Sequence, residues 1–394
     1  MELRKLNTGD YDQLLDLLNV VFTKQNGHPM DFLNELPKMW VCDDRHMGYH
    51  TGVFEDGKLV AVGGCYPLPL KIGETSLLFA TTGNMATLPE YEGRGYFNRI
   101  FTELMHQLEE MGADGARLGG SRTRYARFGY EPAGLAYNIT LNEKNRVKYF
   151  QNLGADLEFR EIRLEDVELL KFCNVLSRKA DFYVERSSEE NYRDVYLALC
   201  SKHAAPYVAL KDGIPVGYLA ATSNKQYIGR AEKGQEIREL RYVSVEQFLP
   251  IVCAWQRYVN DSISIQLAPY MAEELRLIAP GAENISMASP SRFKILNYEK
   301  LADALLKLKH TKQPLMNGEI VLGIEDYGTI RLYVDGNAAG CEKTPKTPVC
   351  TLDKRTASRL LFGHLPSYAS TALTDPLLGN WLPLPLSWVT LDYV

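Results

Sequence analysis

The sequence lacks the features that mark nucleic-acid-binding, membrane and secreted proteins. It has no run of lysine or arginine and its formal net charge is −5, so it offers no basic surface for nucleic acid or an anionic bilayer. The N-terminus, MELRKLNTGDYDQLL, has no apolar signal core, and no stretch approaches the length that crosses a bilayer. We therefore expect a cytoplasmic protein without a nucleic-acid or membrane partner, whose charge fits a cationic substrate better than an anionic polymer.

Disulfide and metal-binding patterns are also missing. The seven cysteines are scattered, odd in number and never spaced as CxxC, which predicts reduced and mostly buried thiols. The nearest approach to a metal site is CDDRHMGYH, in which His46 and His50 lie four residues apart. Zinc ligation would need both on one helical turn with further ligands, and Gly48 before Tyr49 disfavours a helix. The segment is predicted to be a solvated loop, and the protein to hold no metal.

The chain contains enough apolar residues for more than one hydrophobic core. Hydrophobic residues make up 45% of 394 positions, and chains of this length usually divide into domains. The pattern changes near residues 150 and 288, so we expect three units: residues 1–150, 151–287 and 288–394.

The first unit reads as a strand, a helix and two hairpins that lead into a second helix. ELRKL predicts a strand, Asp10 is placed to cap a helix from Tyr11, and Asp56-Gly57 between apolar runs predicts a hairpin. A second helix is predicted from Asn98, with its apolar residues on one face and Gly112 as its stop.

Around residue 157 this pattern begins again. LRKLNTGDYDQLLDLLN is echoed by FREIRLEDVELLKFCN, and FEDGKLVAVGG by LKDGIPVGYLA. Before its second helix the first copy has YEGRGYFNRIF, residues 91 to 101, whereas the second copy has no glycine there. Glycines needed only for the fold should have a counterpart in the second copy. Their absence suggests that the first copy alone binds a ligand.

The third unit reads as a helix, a hairpin and a second helix before an apolar end. The hairpin is predicted to turn at Asp326 to Gly328, and Asp353 to cap the second helix. The final stretch, NWLPLPLSWVTLDYV, is apolar and aromatic. A tail of this composition is expected to be buried.

The glycine turn leaves two interpretations open. Backbone amides exposed at a helix start, aided by the helix dipole, can hold a pyrophosphate, and Gly93 and Gly95 would permit its close approach. The stretch lacks the GKS or GKT of a P-loop and the third glycine of a dinucleotide fold. On spacing alone, an ordinary structural turn remains the alternative.

The order of elements resembles that of the GNAT acetyltransferases. EGRGYF, residues 92 to 97, occupies the place of their R/Q-x-x-G-x-G/A turn, and RYARFGYEPAG resembles their downstream signature. The whole chain resembles the Eis (enhanced intracellular survival) type, which implies an α+β protein. It would have two GNAT domains with largely antiparallel sheets, the second degenerate, and a sterol-carrier-like C-terminal domain. The type also implies a homo-oligomer, with a hexamer as one option.

This resemblance implies acetyl-CoA as co-substrate and no metal, with a site built largely from backbone groups. The strand before the turn would pair with the pantetheine arm and polarise the thioester carbonyl. The turn would hold the pyrophosphate. Glu92 stands where the family has Arg or Gln, and Phe97 where it has Gly or Ala. Arg94 would therefore offer the cation. The implied cofactor-binding residues are Met85, Ala86, Thr87, Glu92, Gly93, Arg94, Gly95, Tyr96, Phe97, Gly120 and Ser121.

The resemblance also implies the catalytic groups and the acceptor. Tyr125 matches the acid that protonates the departing thiolate, and the carboxylate of Val394 would be the base for a primary amine that attacks directly in a ternary complex. Asp31 and Glu35 could hold a polyamine, an aminoglycoside or a lysine side chain, or could merely be a solvated helix start. Non-catalytic binding of acyl-CoA, and lipid carriage by the third unit, remain as alternatives.

Overall fold

Three β-sheets organise this computed structural model, which describes residues 1–186, 192–222, 235–289, 291–363, 375–388 and 390–392. The strands are β1 (Glu2–Lys5), β2 (His50–Glu55), β3 (Lys58–Ile72), β4 (Thr75–Thr87), β5 (Gly115–Leu118), β6 (Glu131–Ala133), β7 (Ala136–Leu141), β8 (Leu157–Glu161), β9 (Phe182–Val184), β10 (Ala204–Lys211), β11 (Ile214–Thr222), β12 (Gln235–Tyr242), β13 (Ile263–Leu267), β14 (Asn284–Ala288), β15 (Ser291–Ile295), β16 (Gly318–Ile324), β17 (Gly328–Asp335), β18 (Ala338–Lys343) and β19 (Cys350–Leu352). The helices are α1 (Tyr11–Asn26), α2 (Phe32–Glu35), α3 (Asp44–Met47), α4 (Tyr96–Glu110), α5 (Arg122–Tyr125), α6 (Glu143–Phe150), α7 (Val167–Ser177), α8 (Arg193–Leu199), α9 (Phe248–Val259), α10 (Ala272–Ile278), α11 (Tyr298–Lys312), α12 (Lys354–Phe362) and α13 (Pro376–Trp381).

The first sheet has the strand order β1-β2-β3-β4-β5-β15-β6, with β9 also paired to β3. The strands from β1 to β4 are antiparallel neighbours, and β4 runs parallel to β5. The predicted hairpin at Asp56-Gly57 is confirmed, with both residues at positive φ. Helix α4 begins at Tyr96, two residues before the predicted start, because Gly95 at φ 80° takes the N-cap position.

The second sheet repeats this succession. Its order is β14-β7-β13-β12-β11-β10-β8, with antiparallel pairs from β8 to β12 and a parallel pair of β12 with β13. Helix α9 packs on it as α4 packs on the first sheet. The predicted α+β class is confirmed, since mixed, largely antiparallel sheets carry helices on their faces.

Two strands cross between the two larger sheets. Strand β7 pairs with β13 and β14 of the second sheet, although β6, only three residues earlier, lies in the first. Strand β15 returns to the first sheet and lies between β5 and β6. Backbone hydrogen bonds therefore join the first two predicted units, and their division at residues 150 and 287 stays a prediction.

The third sheet, β18-β17-β16-β19, packs against α11 and shares a core with the first sheet. The predicted cap of α12 is confirmed, because the Asp353 carboxylate accepts from the backbone N–H groups of Arg355 and Thr356. The described part of the apolar tail is buried as predicted. Trp388 lies between Phe79, Phe182 and Phe293, with ring centroids 5.8, 6.2 and 5.8 Å away.

The segment CDDRHMGYH differs from the prediction of a solvated loop, which is wrong. Asp43 caps the single helical turn α3, and His50 enters β2 fully buried. Packing against Trp40 and Tyr66 draws the histidine into the core. Within the described ranges, no group of three His, Cys, Asp or Glu side chains could hold a metal ion.

All seven cysteines are free thiols, and four of them are buried. Of the helices that the structure describes, none has both the length and the apolar character needed to cross a membrane.

Candidate active site

Strands β4 and β5 separate at the centre of the first sheet. Their parallel pairing covers three positions and ends at Thr81 opposite Arg117, yet β4 continues to Thr87. From Thr82 to Thr87, the edge of β4 that faces β5 has no strand partner in the described chain. Met85, Ala86 and Thr87, predicted to bind the cofactor, therefore carry peptide groups that an extended ligand could pair with.

A bulge on β4 marks the start of this free edge. Val62 of β3 pairs with Ala86 and Gly64 pairs with Gly83, so Asn84 and Met85 together face one residue of β3. Asn84 takes φ 53°, an uncommon value for a residue with a side chain. Its amide donates to the Tyr66 hydroxyl over 2.8 Å. The bulge thus changes the direction of β4 beside the point where it separates from β5.

The glycine turn lies directly before α4. Gly93 and Gly95 have φ values of 78° and 80°, and a Cβ on either would meet no atom within 4 Å. The N-terminus of α4 has no side-chain cap, so the first N–H groups of this 15-residue helix stay available to a ligand. The turn has the backbone form of an anion-binding helix start.

Glu55 of β2 pairs with the cationic residue of the turn. Arg94 lies 3.1 Å from the Glu55 carboxylate and 4.7 Å from the centroid of the Tyr91 ring. The Tyr96 hydroxyl also donates to Glu55. The Glu92 side chain is exposed. Arg94, predicted to offer the cation, is therefore held by Glu55.

Tyr125 lies in an aromatic cluster beside the turn. Its ring centroid is 6.0 Å from that of Phe97 and 5.2 Å from that of Phe101, and its side chain is 8% exposed. Burial raises the pKa of the Tyr125 hydroxyl, although the neighbouring Arg124 guanidinium opposes this. A Cβ on Gly120 would come within 3.0 Å of the tyrosine ring. Gly120 thus leaves room for Tyr125.

The same cluster reaches the free edge of β4. Tyr130 stands 6.4 Å from Tyr125 between ring centroids, and its hydroxyl lies 3.0 Å from Thr82 Oγ1. Met85 packs on the same cluster. The structure therefore brings the free edge, Phe97 and Tyr125 together, whereas Ser121 is exposed and bonds to Thr123 over 2.8 Å.

Asp31 and Glu35, predicted to hold the acceptor, line a groove of about 680 Å³ between the first two units. The Asp31 carboxylate caps α2. The Glu35 carboxylate lies 3.6 Å from Lys202, which also donates its backbone N–H to the carbonyl of Glu35. The groove is acidic, but one of its two predicted carboxylates is already paired.

A second cavity, of about 420 Å³, was not predicted from the sequence. Tyr66 lines it and connects it to the bulge through Asn84. The polar residue Asn84 within the apolar strand LLFATTGNMATL is the signal that could have pointed to it. Other residues that line this cavity are Lys38, His46, Tyr49, Arg186 and Asp392.

Buried ion pairs hold the end of the described chain at this cavity. Arg186 forms two hydrogen bonds with Glu239, of 2.9 and 2.7 Å, and two with Asp392, both of 3.1 Å. The Tyr218 hydroxyl adds a bond of 2.7 Å to Glu239. Lys38 donates to the carbonyl of Leu391, and burial lowers its pKa to about 7. Val394, the predicted base, lies outside the described residues.

His50 is a buried neutral histidine behind the cavity wall. Its Nε2 is 3.0 Å from the Tyr66 hydroxyl and its Nδ1 is 3.1 Å from the carbonyl of His46. Burial lowers its pKa to about 4. As the pH falls below about 6.5, His50 becomes protonated in the unfolded chain, whereas in the folded protein it stays neutral until the pH approaches 4.

We expect the free energy of unfolding to decrease by about 3 kcal/mol between pH 6.5 and 4 on account of His50. Urea denaturation at several pH values, followed by tryptophan fluorescence, measures this decrease. His50→Asn should lose most of it, whereas His106→Gln, at an exposed position on α4, should keep it. An equal pH dependence in wild type and His50→Asn would contradict the assignment.

Comparisons with known proteins agree with this geometry. Residues 2–133 match the family described as the acetyltransferase (GNAT) domain. No curated protein matches the sequence.

Solved structures resemble the full chain. A GCN5-related N-acetyltransferase from Kribbella flavida matches 100% of both chains with a TM-score of 0.63 and 16% identity. Another from Anabaena variabilis matches 100% of both chains with a TM-score of 0.65 and 16% identity. Eis1 from Mycobacterium abscessus matches 99% of this chain and 98% of its own with a TM-score of 0.65 and 14% identity.

At these identities the structural likeness shows the fold, and the family match covers the first unit. That unit contains the parallel strands that separate, the free edge of β4 and the glycine turn at the start of α4. Residues 2–133 therefore form a GNAT acetyltransferase domain, which makes this unit of the protein an acyltransferase.

Proposed function

We propose that the protein transfers an acetyl group from acetyl-CoA to a primary amine of a small cationic molecule or of a lysine side chain. The amine attacks the thioester directly while both substrates are bound. The observation that carries this proposal is the free edge of β4 between Thr82 and Thr87, which faces the separation from β5.

Each part of the first unit has a role in this proposal. The peptide groups of Met85, Ala86 and Thr87 pair with the pantetheine arm and orient the thioester carbonyl, which is the kind of fixed dipole that stabilises a developing oxyanion. The N–H groups of the turn from Gly93 to Phe97 hold the pyrophosphate. Tyr125 gives a proton to the departing thiolate.

The acceptor amine enters the 420 Å³ cavity. Tyr66 in its wall bonds to Asn84, the neighbour of Met85, so the cavity adjoins the place where the thioester would lie. Pro37 lines the larger groove that contains Asp31 and Glu35, and the next residue, Lys38, lines the cavity, so the two spaces adjoin. A further cationic group of the acceptor would bind there.

We also propose that residues 151–287 are a second GNAT domain without a cofactor site. Its parallel strands β12 and β13 pair at three positions before they separate, as β4 and β5 do. Ser387 and Trp388 line the small cavity beside these strands. In this proposal the C-terminal segment, from a sterol-carrier-like third domain, borders the place that would correspond to the acetyl-CoA site of the first domain.

The test is acetyl-CoA turnover with a panel of polyamines, aminoglycosides and lysine peptides, together with calorimetry of coenzyme A binding. Wild type should release coenzyme A and form an acetylated amine. Gly95→Val should bind coenzyme A about tenfold or more weakly, because a β-branched residue disfavours φ 80° and moves the helix start.

Gly213→Val is the matched control, since Gly213 has φ 77°, equally open surroundings and a place in the second unit. It carries the same backbone strain without touching the turn. Equal coenzyme A binding by Gly95→Val and wild type would contradict the cofactor site, and no acetylated product with any amine would contradict the transferase function.

A further inference from the structure

We propose that His46, oriented by Asp43, is the base that takes the proton from the acceptor ammonium. This role rests on the proposed function and adds a side chain that the family match does not assign. It comes from the segment CDDRHMGYH, which folds as a capped helical turn at the wall of the 420 Å³ cavity.

Asp43 fixes the orientation of the His46 ring. The two carboxylate oxygens of Asp43 lie 2.8 and 2.9 Å from His46 Nδ1, and one of them also accepts from the backbone N–H of His46 over 2.8 Å. Burial favours the neutral form of Asp43, but these hydrogen bonds outweigh it and lower its pKa. An ionised carboxylate at Nδ1 leaves Nε2 as the proton-accepting nitrogen.

The remaining nitrogen is available to a substrate. His46 is 9% exposed and lines the cavity, and its Nε2 makes no hydrogen bond to the described part of the chain. The edge of the ring packs against Tyr49, with centroids 6.0 Å apart. An aspartate that orients a histidine toward a reacting group is a recurrent arrangement for general base catalysis.

The charges around the cavity are balanced. A base in the cavity is therefore surrounded by both positive and negative side chains. His50, next to the cavity wall, stays neutral because burial lowers its pKa to about 4. Besides His46, the charged or titratable residues that line the cavity are Lys38, Arg45, Tyr49, Tyr66, Glu185, Arg186, Asp194 and Asp392.

Lys38 is the rival base in the same cavity, because burial lowers its pKa to about 7. Its amine already donates to the carbonyl of Leu391. This hydrogen bond ties Lys38 to the end of the described chain, whereas His46 Nε2 makes no hydrogen bond to any residue that the structure describes. The geometry therefore favours His46.

The proton balance of the step is complete. The ammonium loses one proton to His46 Nε2, and the nitrogen lone pair then forms the C–N bond to the thioester carbon. The C–S bond breaks with its electron pair on sulfur, which takes the Tyr125 proton. The second proton of the attacking nitrogen restores Tyr125, and His46 releases its proton to solvent.

The experiment compares the pH profiles of kcat for wild type and four variants with acetyl-CoA and a polyamine. His46→Gln should lower kcat by about 100-fold or more and remove the acidic limb of the profile. Asp43→Asn keeps an acceptor for the α3 cap, so it should lower kcat less. His106→Gln, on the exposed face of α4, should match wild type, and Lys38→Met should keep the acidic limb.

Added imidazole should restore part of the activity of His46→Ala, which a purely structural role would not allow. Coenzyme A affinity by calorimetry should be equal in wild type and the His46 variants. A wild-type profile and kcat in His46→Gln, or loss of the acidic limb in Lys38→Met alone, would overturn the role of His46 and leave the transferase function intact. Absence of transfer by wild type would overturn both.

Discussion

Replacement of Arg186 by methionine is expected to lower the free energy of unfolding by about 3–5 kcal/mol. The Arg186 side chain is 7% exposed, and those of Glu239 and Asp392 are 0% and 3% exposed. Removal of the guanidinium takes away the cation that both buried carboxylates share and leaves Glu239 only the longer ion pair with Arg241, at 3.9 Å. Burial disfavours the ionised form of Glu239, but the Arg186 and Arg241 guanidinium groups overcome this and lower its pKa to about 2.

Urea denaturation at pH 7 measures this loss. Arg331→Met is the control, because Arg331 also bridges two carboxylates, at 2.7 and 2.9 Å, but on a more exposed sheet surface. It should lose about 1 kcal/mol or less. Addition of Glu239→Gln and Asp392→Asn to Arg186→Met should restore part of the stability, since neither carboxylate then remains as a buried charge that has lost Arg186.

The effect of Arg186→Met should also depend on pH. Glu239 stabilises the fold above about pH 4.5 through its lowered pKa, and this contribution is lost as the pH falls toward 2. The difference between wild type and Arg186→Met should therefore shrink in acid. A difference that stays below 1 kcal/mol at pH 7 would show that the buried network contributes little.

Replacement of Tyr125 by phenylalanine is expected to lower kcat by about 100-fold or more if its hydroxyl protonates the leaving thiolate. The ring would keep its contacts with Phe97 and Phe101, so the cofactor turn should keep its shape. Burial raises the pKa of the Tyr125 hydroxyl, so the group stays protonated across the neutral range and is ready to donate.

Turnover assays with acetyl-CoA measure the role of Tyr125 in catalysis, and calorimetry with coenzyme A measures its role in cofactor binding. Coenzyme A affinity should change less than twofold, because only a hydrogen bond to the leaving group is lost. Tyr298→Phe removes another buried hydroxyl, which donates to the carbonyl of Lys354 over 2.7 Å. It should cost about 1 kcal/mol of stability and leave kcat unchanged. Wild-type kcat in Tyr125→Phe would refute the acid role.

Much of the local structure followed from the sequence because it depends on near neighbours. The hairpin at Asp56-Gly57, the cap at Asp353 and the glycine turn before α4 each involve residues a few positions apart. Turn chemistry and helix capping determine such features wherever the segment lies in the fold.

The segment around His46 shows where this reasoning failed. Its composition predicted a solvated loop, but α3 is capped and His50 is fully buried. The aromatic contacts of His50 with Trp40 and Tyr66 come from separate parts of the chain. A pattern read within nine residues cannot include them.

The sequence by itself determined the α+β class, the order of most elements and the turn formed by Gly93 and Gly95. Only the tertiary structure decided that β7 and β15 cross between the sheets, and that Arg186 binds both Glu239 and Asp392. It also decided that His46 lines a cavity beside the free edge of β4. The physical reason is that local features depend on the backbone preferences of adjacent residues. These contacts instead join residues far apart in the chain, and they form only when the units pack together.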